Sequence, residues 1–227
     1  METPYVTIDS LPAKTAIWLD KVAPHNHTSL TLERTSSALL VVDMQNFFMD
    51  PASPTYTCGG AAILPNVKRL ITAFRGAGRP VIYTCHVHHP DRLDVGIMGW
   101  WWDGMCVEGS PESQVVSSIF PLPNEKVVLK HRYSAFFDTD LATVLRCLKV
   151  EDLVISGIMT NMCCESTARD AYYRDYRVFF PADATGTINE EMHLASLLNL
   201  AFGFAVITTT EKLVDGLAGG TNPGVGP

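Results

Sequence analysis

Six short apolar runs recur along this chain, and the stretches between most of them repeat their apolar residues at helical spacing. The first run is Ala38-Leu39-Leu40-Val41-Val42. It lacks the polar alternation of a half-exposed strand, so it reads as a strand covered on both faces. Pro80-Val81-Ile82-Tyr83-Thr84, Val127-Val128-Leu129, Leu153-Val154-Ile155, Val178-Phe179-Phe180 and Ala205-Val206-Ile207 follow. Between the first two runs, Leu64, Val67, Leu70, Ile71 and Phe74 share a helical face, with Pro65 suited to a first turn. Leu141, Val144, Leu145 and Leu148 mark a second helix, and Ala168, Ala171 and Tyr172 the inner face of a third. Asn189, followed by Glu190 and Glu191, suits the start of a fourth, whose inward residues read as Met192, Ala195, Leu198 and Phe202. This alternation predicts an α/β fold: a doubly wound, six-stranded parallel sheet with helices on both faces, in three layers α/β/α.

Residues 1–35 contain Pro12, Pro24 and the polar patch His25-Asn26-His27, and read as an irregular N-terminal arm with a short helix near Ile17-Trp18-Leu19. Residues 36–215 form one domain, and the Gly- and Pro-rich residues 216–227 read as a flexible tail. The segment from Cys85 to about Glu125 carries no strong period and holds Trp100, Trp101 and Trp102. A connection of that length is expected to be a lid or pocket wall, or to form a subunit contact.

The composition is that of an ordinary globular protein, 47% hydrophobic and 18% charged. The net charge is −7 with no Lys/Arg cluster, which argues against a nucleic-acid or anionic-membrane partner. No apolar run reaches the roughly 20 residues that span a bilayer, and no basic-then-apolar leader is visible. The expectation is a soluble, cytoplasmic protein. Six cysteines are present without a CxxC pair, so zinc-ribbon and thioredoxin-type readings fail. Cys85 and Cys147 read as buried, inert thiols.

In doubly wound sheets, ligands bind beyond the carboxyl ends of the strands. Asp43, His86 and Lys130 each follow a strand's apolar core. So does Gly157-Ile158-Met159-Thr160-Asn161-Met162-Cys163, after which a helix begins. A thiol at a helix start sits among unpaired backbone N–H groups that favour its thiolate. A carboxylate, an ammonium and a thiol thus converge on one edge.

These residues resemble the signatures of the isochorismatase-like cysteine hydrolase superfamily, on its amidohydrolase branch. Asp43-Met44-Gln45-Asn46-Phe47-Phe48 is similar to the first signature, Lys130 with Arg132-Tyr133-Ser134-Ala135-Phe136 to the second, and Ser156 to Ala171 to the third. The resemblance spans about residues 36 to 210. It implies a catalytic trio of Asp43, Lys130 and Cys163, the nucleophile standing four residues before Thr167. Cys164 is then a packing residue. It further implies a cis peptide at Ile158–Met159 and an oxyanion hole from the amides of Met159 and Cys163. Gln45, Phe48, His86, Trp101, Tyr133 and Phe136 are the expected substrate-pocket residues.

The resemblance implies cleavage of a C–N bond in a small amide, carbamoyl or ureide substrate through a Cys163 acyl-enzyme. Vinyl-ether hydrolysis is the alternative, but true isochorismatases carry Gly where this chain has Cys163. A further alternative is a non-catalytic binding module on the same fold. His86, His88 and His89 suggest a metal cluster, as in nicotinamidases. Their spacing lacks a leading carboxylate, so no metal and no cofactor is expected. On an extended segment His86 and His88 can converge and His89 cannot. The family also implies a homodimer or homotetramer.

Overall fold

A computed structural model describes residues 4–26 and 28–218. His27 and residues 219–227 of the expected arm and tail lie outside them. Eight α-helices are described: α1 Leu11–Val22, α2 Asn46–Met49, α3 Cys58–Gly76, α4 Met98–Trp101, α5 Leu141–Cys147, α6 Glu165–Tyr172, α7 Glu190–Gly203 and α8 Thr210–Ala218. The strands are β1 Ser37–Val42, β2 Val81–His86, β3 Lys126–Lys130, β4 Asp152–Ile158, β5 Arg177–Pro181, β6 Thr185–Gly186 and β7 Val206–Thr208.

All strand pairs are parallel, and the main sheet runs β3-β2-β1-β4-β5-β7, with the two-residue β6 beside β4. The predicted six strands form this path, and β6 is the addition. β1, β2 and β4 are buried along their whole length, as unbroken apolar runs require. β3 is an edge strand, and Val127 and Leu129 stay exposed on its open face.

Strand order reverses between β1 and β4. Right-handed crossovers then place α3 on one face and α6 and α7 on the other. α8 packs against α3, and α1 against α7. The carboxyl ends of β1 and β4 therefore flank a crevice with no crossover over it.

Five sequence expectations need correction. The helix expected near Ile17-Trp18-Leu19 is present but longer, so the arm is not irregular over Leu11–Val22: these form α1, with Trp18 only 1% exposed against α7. α3 starts seven residues before Pro65, which lies inside it. Gly59 allows the early start, since a Cβ there would stand 2.6 Å from the Thr187 carbonyl. α7 turns His193, Ser196, Leu197, Leu200 and Ala201 inward, leaving Met192 and Phe202 exposed. The buried polar pair explains the slip, because His193 and Ser196 bond to Thr160 and Glu165 inside the protein. The expected tail is helical as far as Ala218. Among the cysteines, Cys85 is buried, but Cys147 is exposed.

The long connection from β2 to β3 is tied down rather than structureless. It holds α4 and two 3₁₀ turns, and it bridges Gln45 to Val115 and His88 to Val107.

Candidate active site

Asp43 follows the last residue of β1 and takes a left-handed conformation, φ 49°. Asp is one of the few side chains that tolerates this region. Lys130 ends β3, paired in register with His86 of β2. Cys163 lies in a π-helical turn, Thr160–Cys164, between β4 and α6. The Ile158–Met159 peptide before it is cis. Close packing of β4 on β1 needs Gly157, whose φ is 111° and where a Cβ would sit 2.1 Å from the Val42 carbonyl oxygen.

The structure brings the three side chains together. Lys130 Nζ stands 2.7 Å from Asp43 Oδ2 and donates to Cys163 Sγ at 3.2 Å. It also meets the Arg132 carbonyl and His86 Nδ1, both at 3.1 Å. Asp43 Oδ1 accepts from Thr84 Oγ1 at 2.5 Å, while Oδ2 faces Nζ without an aligned hydrogen bond. Lys130 is fully buried and Asp43 is 1% exposed, but Cys163 keeps 6%. Of the three, the sulfur is the most exposed.

The electrostatics differ from the expectation of a resting thiolate. Burial opposes the Lys130 charge, yet Asp43 and Cys163 beside it outweigh that and hold its pKa above the usual value. Burial pushes the Cys163 thiol up to about 12, with Asp43 adding to the rise and Lys130 only partly offsetting it. The resting site is thus an ammonium beside a neutral thiol. Burial wins because the sulfur is enclosed.

The expected pocket residues fall into distinct places. Gln45 is fully buried and clamps strand ends: its Nε2 donates to the His86 and Ser113 carbonyls, and its Oε1 accepts from the His86 amide. His86 touches Lys130 directly. Phe48 packs edge-on to Phe47, and Tyr133 is half-buried, accepting a hydrogen bond from Trp102 Nε1 at 2.9 Å. Trp101 is 75% exposed on α4, and Phe136 is committed to stacking on Tyr176 beneath Arg174.

Beyond the expected set lie Thr84, His88, Asp94 and His131. His86 Nε2 meets His88 Nε2 at 3.1 Å, and His88 Nδ1 meets Asp94 Oδ1 at 3.2 Å. His89 turns outward. The period-two spacing of His86 and His88 signals their convergence, whereas Asp94 carries no sequence signal.

His88, Asp94 and His131 place one potential ligand atom each within 4.8 Å of one another, as do Asp43, His86 and Cys163. The first group fits a metal poorly. Both Asp94 oxygens already accept from the His89 amide, and they face His88 and His131, while His131 Nδ1 also meets the Val87 carbonyl at 2.7 Å. In the second, Lys130 occupies the centre and would repel a cation.

A buried thiol held by an ammonium and a carboxylate at the reversal point of a parallel sheet is the arrangement of a cysteine hydrolase. An isochorismatase domain model matches residues 37–212, and the chain belongs to that family. It is a hydrolase acting on carbon–nitrogen bonds other than peptide bonds. Nicotinamidase 3 of Arabidopsis thaliana is 42% identical over 187 residues, covering 81% of this chain and 89% of that protein. A cysteine hydrolase from Pseudomonas syringae pv. phaseolicola 1448A superposes with a TM-score of 0.80 at 30% identity, covering 83% of this chain and 95% of that one. Pyrazinamidase of Pyrococcus horikoshii, solved in complex with zinc, gives 0.70 at 29% identity, covering 77% and 99%. No described helix is long and apolar enough to cross a membrane.

Proposed function

We propose that the protein is a metal-independent cysteine amidohydrolase that cleaves the C–N bond of a small amide, carbamoyl or ureide substrate. The observation that carries this reading is one buried ammonium, Lys130 Nζ, in contact with both Asp43 Oδ2 and Cys163 Sγ. The thiol proton passes to Asp43 as Sγ attacks the carbonyl carbon and the C–S bond forms. The oxyanion is held by the Met159 and Cys163 amides, a type of contact worth roughly 3–4 kcal/mol in such sites. The C–N bond breaks and the leaving nitrogen takes the proton from Asp43. Water then adds to the thioester and gives Asp43 a proton, and the C–S bond breaks as Sγ regains it.

Lys130 keeps its charge throughout and stabilises the anion as it moves from oxygen to sulfur. A neutral resting thiol suits this scheme, because charge is created only when substrate is present. Similarity to a nicotinamidase supports aromatic carboxamides as the first compounds to try. Free cysteines throughout support a reducing, cytoplasmic setting, and the family resemblance supports a homodimer or homotetramer.

The test is ammonia release across nicotinamide, pyrazinamide, N-carbamoyl amino acids and ureides, with Cys163→Ala as control. At least one compound should be hydrolysed, and the substitution should abolish its turnover. Hydrolysis that survives Cys163→Ala rules out the covalent route.

A further inference from the structure

Lys130 has a partner outside the trio whose chemistry fixes a whole row of protons. An ammonium can only donate, so His86 Nδ1, 3.1 Å from Nζ, must be the unprotonated ring nitrogen. His86 then carries its proton on Nε2, which points at His88 Nε2 at 3.1 Å. That nitrogen must accept, so His88 carries its proton on Nδ1, facing Asp94 Oδ1 at 3.2 Å. Each ring has one donor and one acceptor, and each is used.

We propose that His88 and Asp94 are positioning residues of the catalytic site, holding His86 in the single tautomer that accepts from Lys130 and so aiming the ammonium at Asp43 and Cys163. The relay runs from a fully buried lysine to a carboxylate that is 23% exposed. It crosses the sheet edge from β3 through the end of β2 into the long connection. An imidazole in isolation populates both tautomers; here Lys130 selects one from the buried end, and Asp94, through His88, holds it from the other.

The surroundings favour neutral rings. Lys130, His88, His131 and Arg132 all face His86, and with burial leading they keep its pKa well below the usual histidine value. For His88, burial outweighs the pull of Asp94, with His131 and Arg132 adding to it, and its pKa also falls. Asp94 stays ionised: burial works against its charge, but the His89 amide and His88 hold its pKa down. The Asp43 and Cys163 ligand atoms also lie within 4.8 Å of His86. A protonated His86 would place two cations in contact, and the flipped tautomer would set an N–H against an ammonium. Either displaces Nζ.

The positioning role rests on Lys130 acting in catalysis; the tautomer lock does not. The experiment is ¹⁵N-histidine NMR on the full chain, with steady-state kinetics on a hydrolysed amide, for the parent, Asp94→Ala and Asp94→Glu. Asp94 is partly exposed, so Asp94→Ala is expected to fold, with circular dichroism as the check. In the parent, His86 should be protonated at Nε2 alone and His88 at Nδ1 alone. In Asp94→Ala the His86 signal should split between tautomers. kcat should then fall about 10- to 100-fold with KM little changed, the size expected when a supporting shell is lost. Asp94→Glu should restore both. The proposal is overturned if Asp94→Ala leaves His86 in one tautomer, or if the tautomers mix while kcat is unchanged. If the parent hydrolyses no amide, the proposed function fails, and the NMR result alone decides whether the lock exists.

Discussion

Lys130 Nζ and Cys163 Sγ are 3.2 Å apart, yet the sulfur keeps its proton. Contact with a cation normally makes a thiol acidic, as in cysteine–histidine pairs. Here the same cation is already engaged by Asp43, and enclosure decides the balance.

Alkylation tests this directly. Iodoacetamide attacks thiolate, so labelling of Cys163 in the free enzyme should be slow near neutrality. Its rate should climb about tenfold per pH unit between about pH 7 and pH 9, with no plateau. Mass spectrometry of the labelled Cys163 peptide gives the rate. A plateau below about pH 8 would mean that a thiolate is already present at rest.

Removing one member of the ion pair should be worse than removing both. Lys130→Met leaves the buried Asp43 charge alone and should lower unfolding free energy by about 3–5 kcal/mol. Lys130→Met combined with Asp43→Asn should recover part of that loss in urea titrations while remaining inactive. Additive losses would show that the pair is not coupled.

Gly157→Ala should abolish soluble expression or cost more than about 3 kcal/mol. The new Cβ would collide with the Val42 backbone at a positive φ that alanine avoids. A well-folded variant would mean that β1 and β4 can separate without loss.

Acid should weaken the fold through His193. Burial lowers its pKa from 6.5 to about 4, with the Ala182 backbone and Glu190 only partly offsetting this. The unfolded chain therefore binds a proton that the folded chain refuses. The contribution is complete above about pH 6.5 and is lost as pH falls toward about 4, by roughly 3 kcal/mol in all. His86, also kept neutral, acts in the same direction. In His193→Phe the slope of stability against pH over this window should flatten, as read from denaturant midpoints.

Chelation should leave turnover unchanged. The histidine and aspartate atoms that might bind a cation are satisfied by one another, so dialysis against EDTA should not reduce ammonia release. Loss of activity, restored by zinc, would overturn the metal-independent reading.

Much of this was legible in the residues because fold and trio share one signal. Apolar runs without alternation announce parallel buried strands, and the residue after each run lands on the edge where ligands bind. That places Asp43, Lys130 and the turn bearing Cys163 without any tertiary information. What failed depends on partners distant in sequence. His193 and Ser196 face inward because Thr160 and Glu165 receive them, and a pattern that counts only apolar residues turns nearly the opposite face of α7 inward. Asp94 is an unremarkable loop acid until the fold sets it against His88. The Cys163 titration follows from enclosure by surrounding chain, which no local motif encodes.

Trp18 of α1 lies with its ring 4.4 Å from that of His193, and His193 Nδ1 holds Thr160 Oγ1 at 2.9 Å in the turn that carries Cys163. A helix upstream of residues 37–212 thus braces the turn that bears Cys163 through two side chains. Relatives that share the central unit but begin differently would carry the same trio on a differently propped turn. Swapping only the leading helix between them would change what supports that turn while leaving Asp43, Lys130 and Cys163 in place.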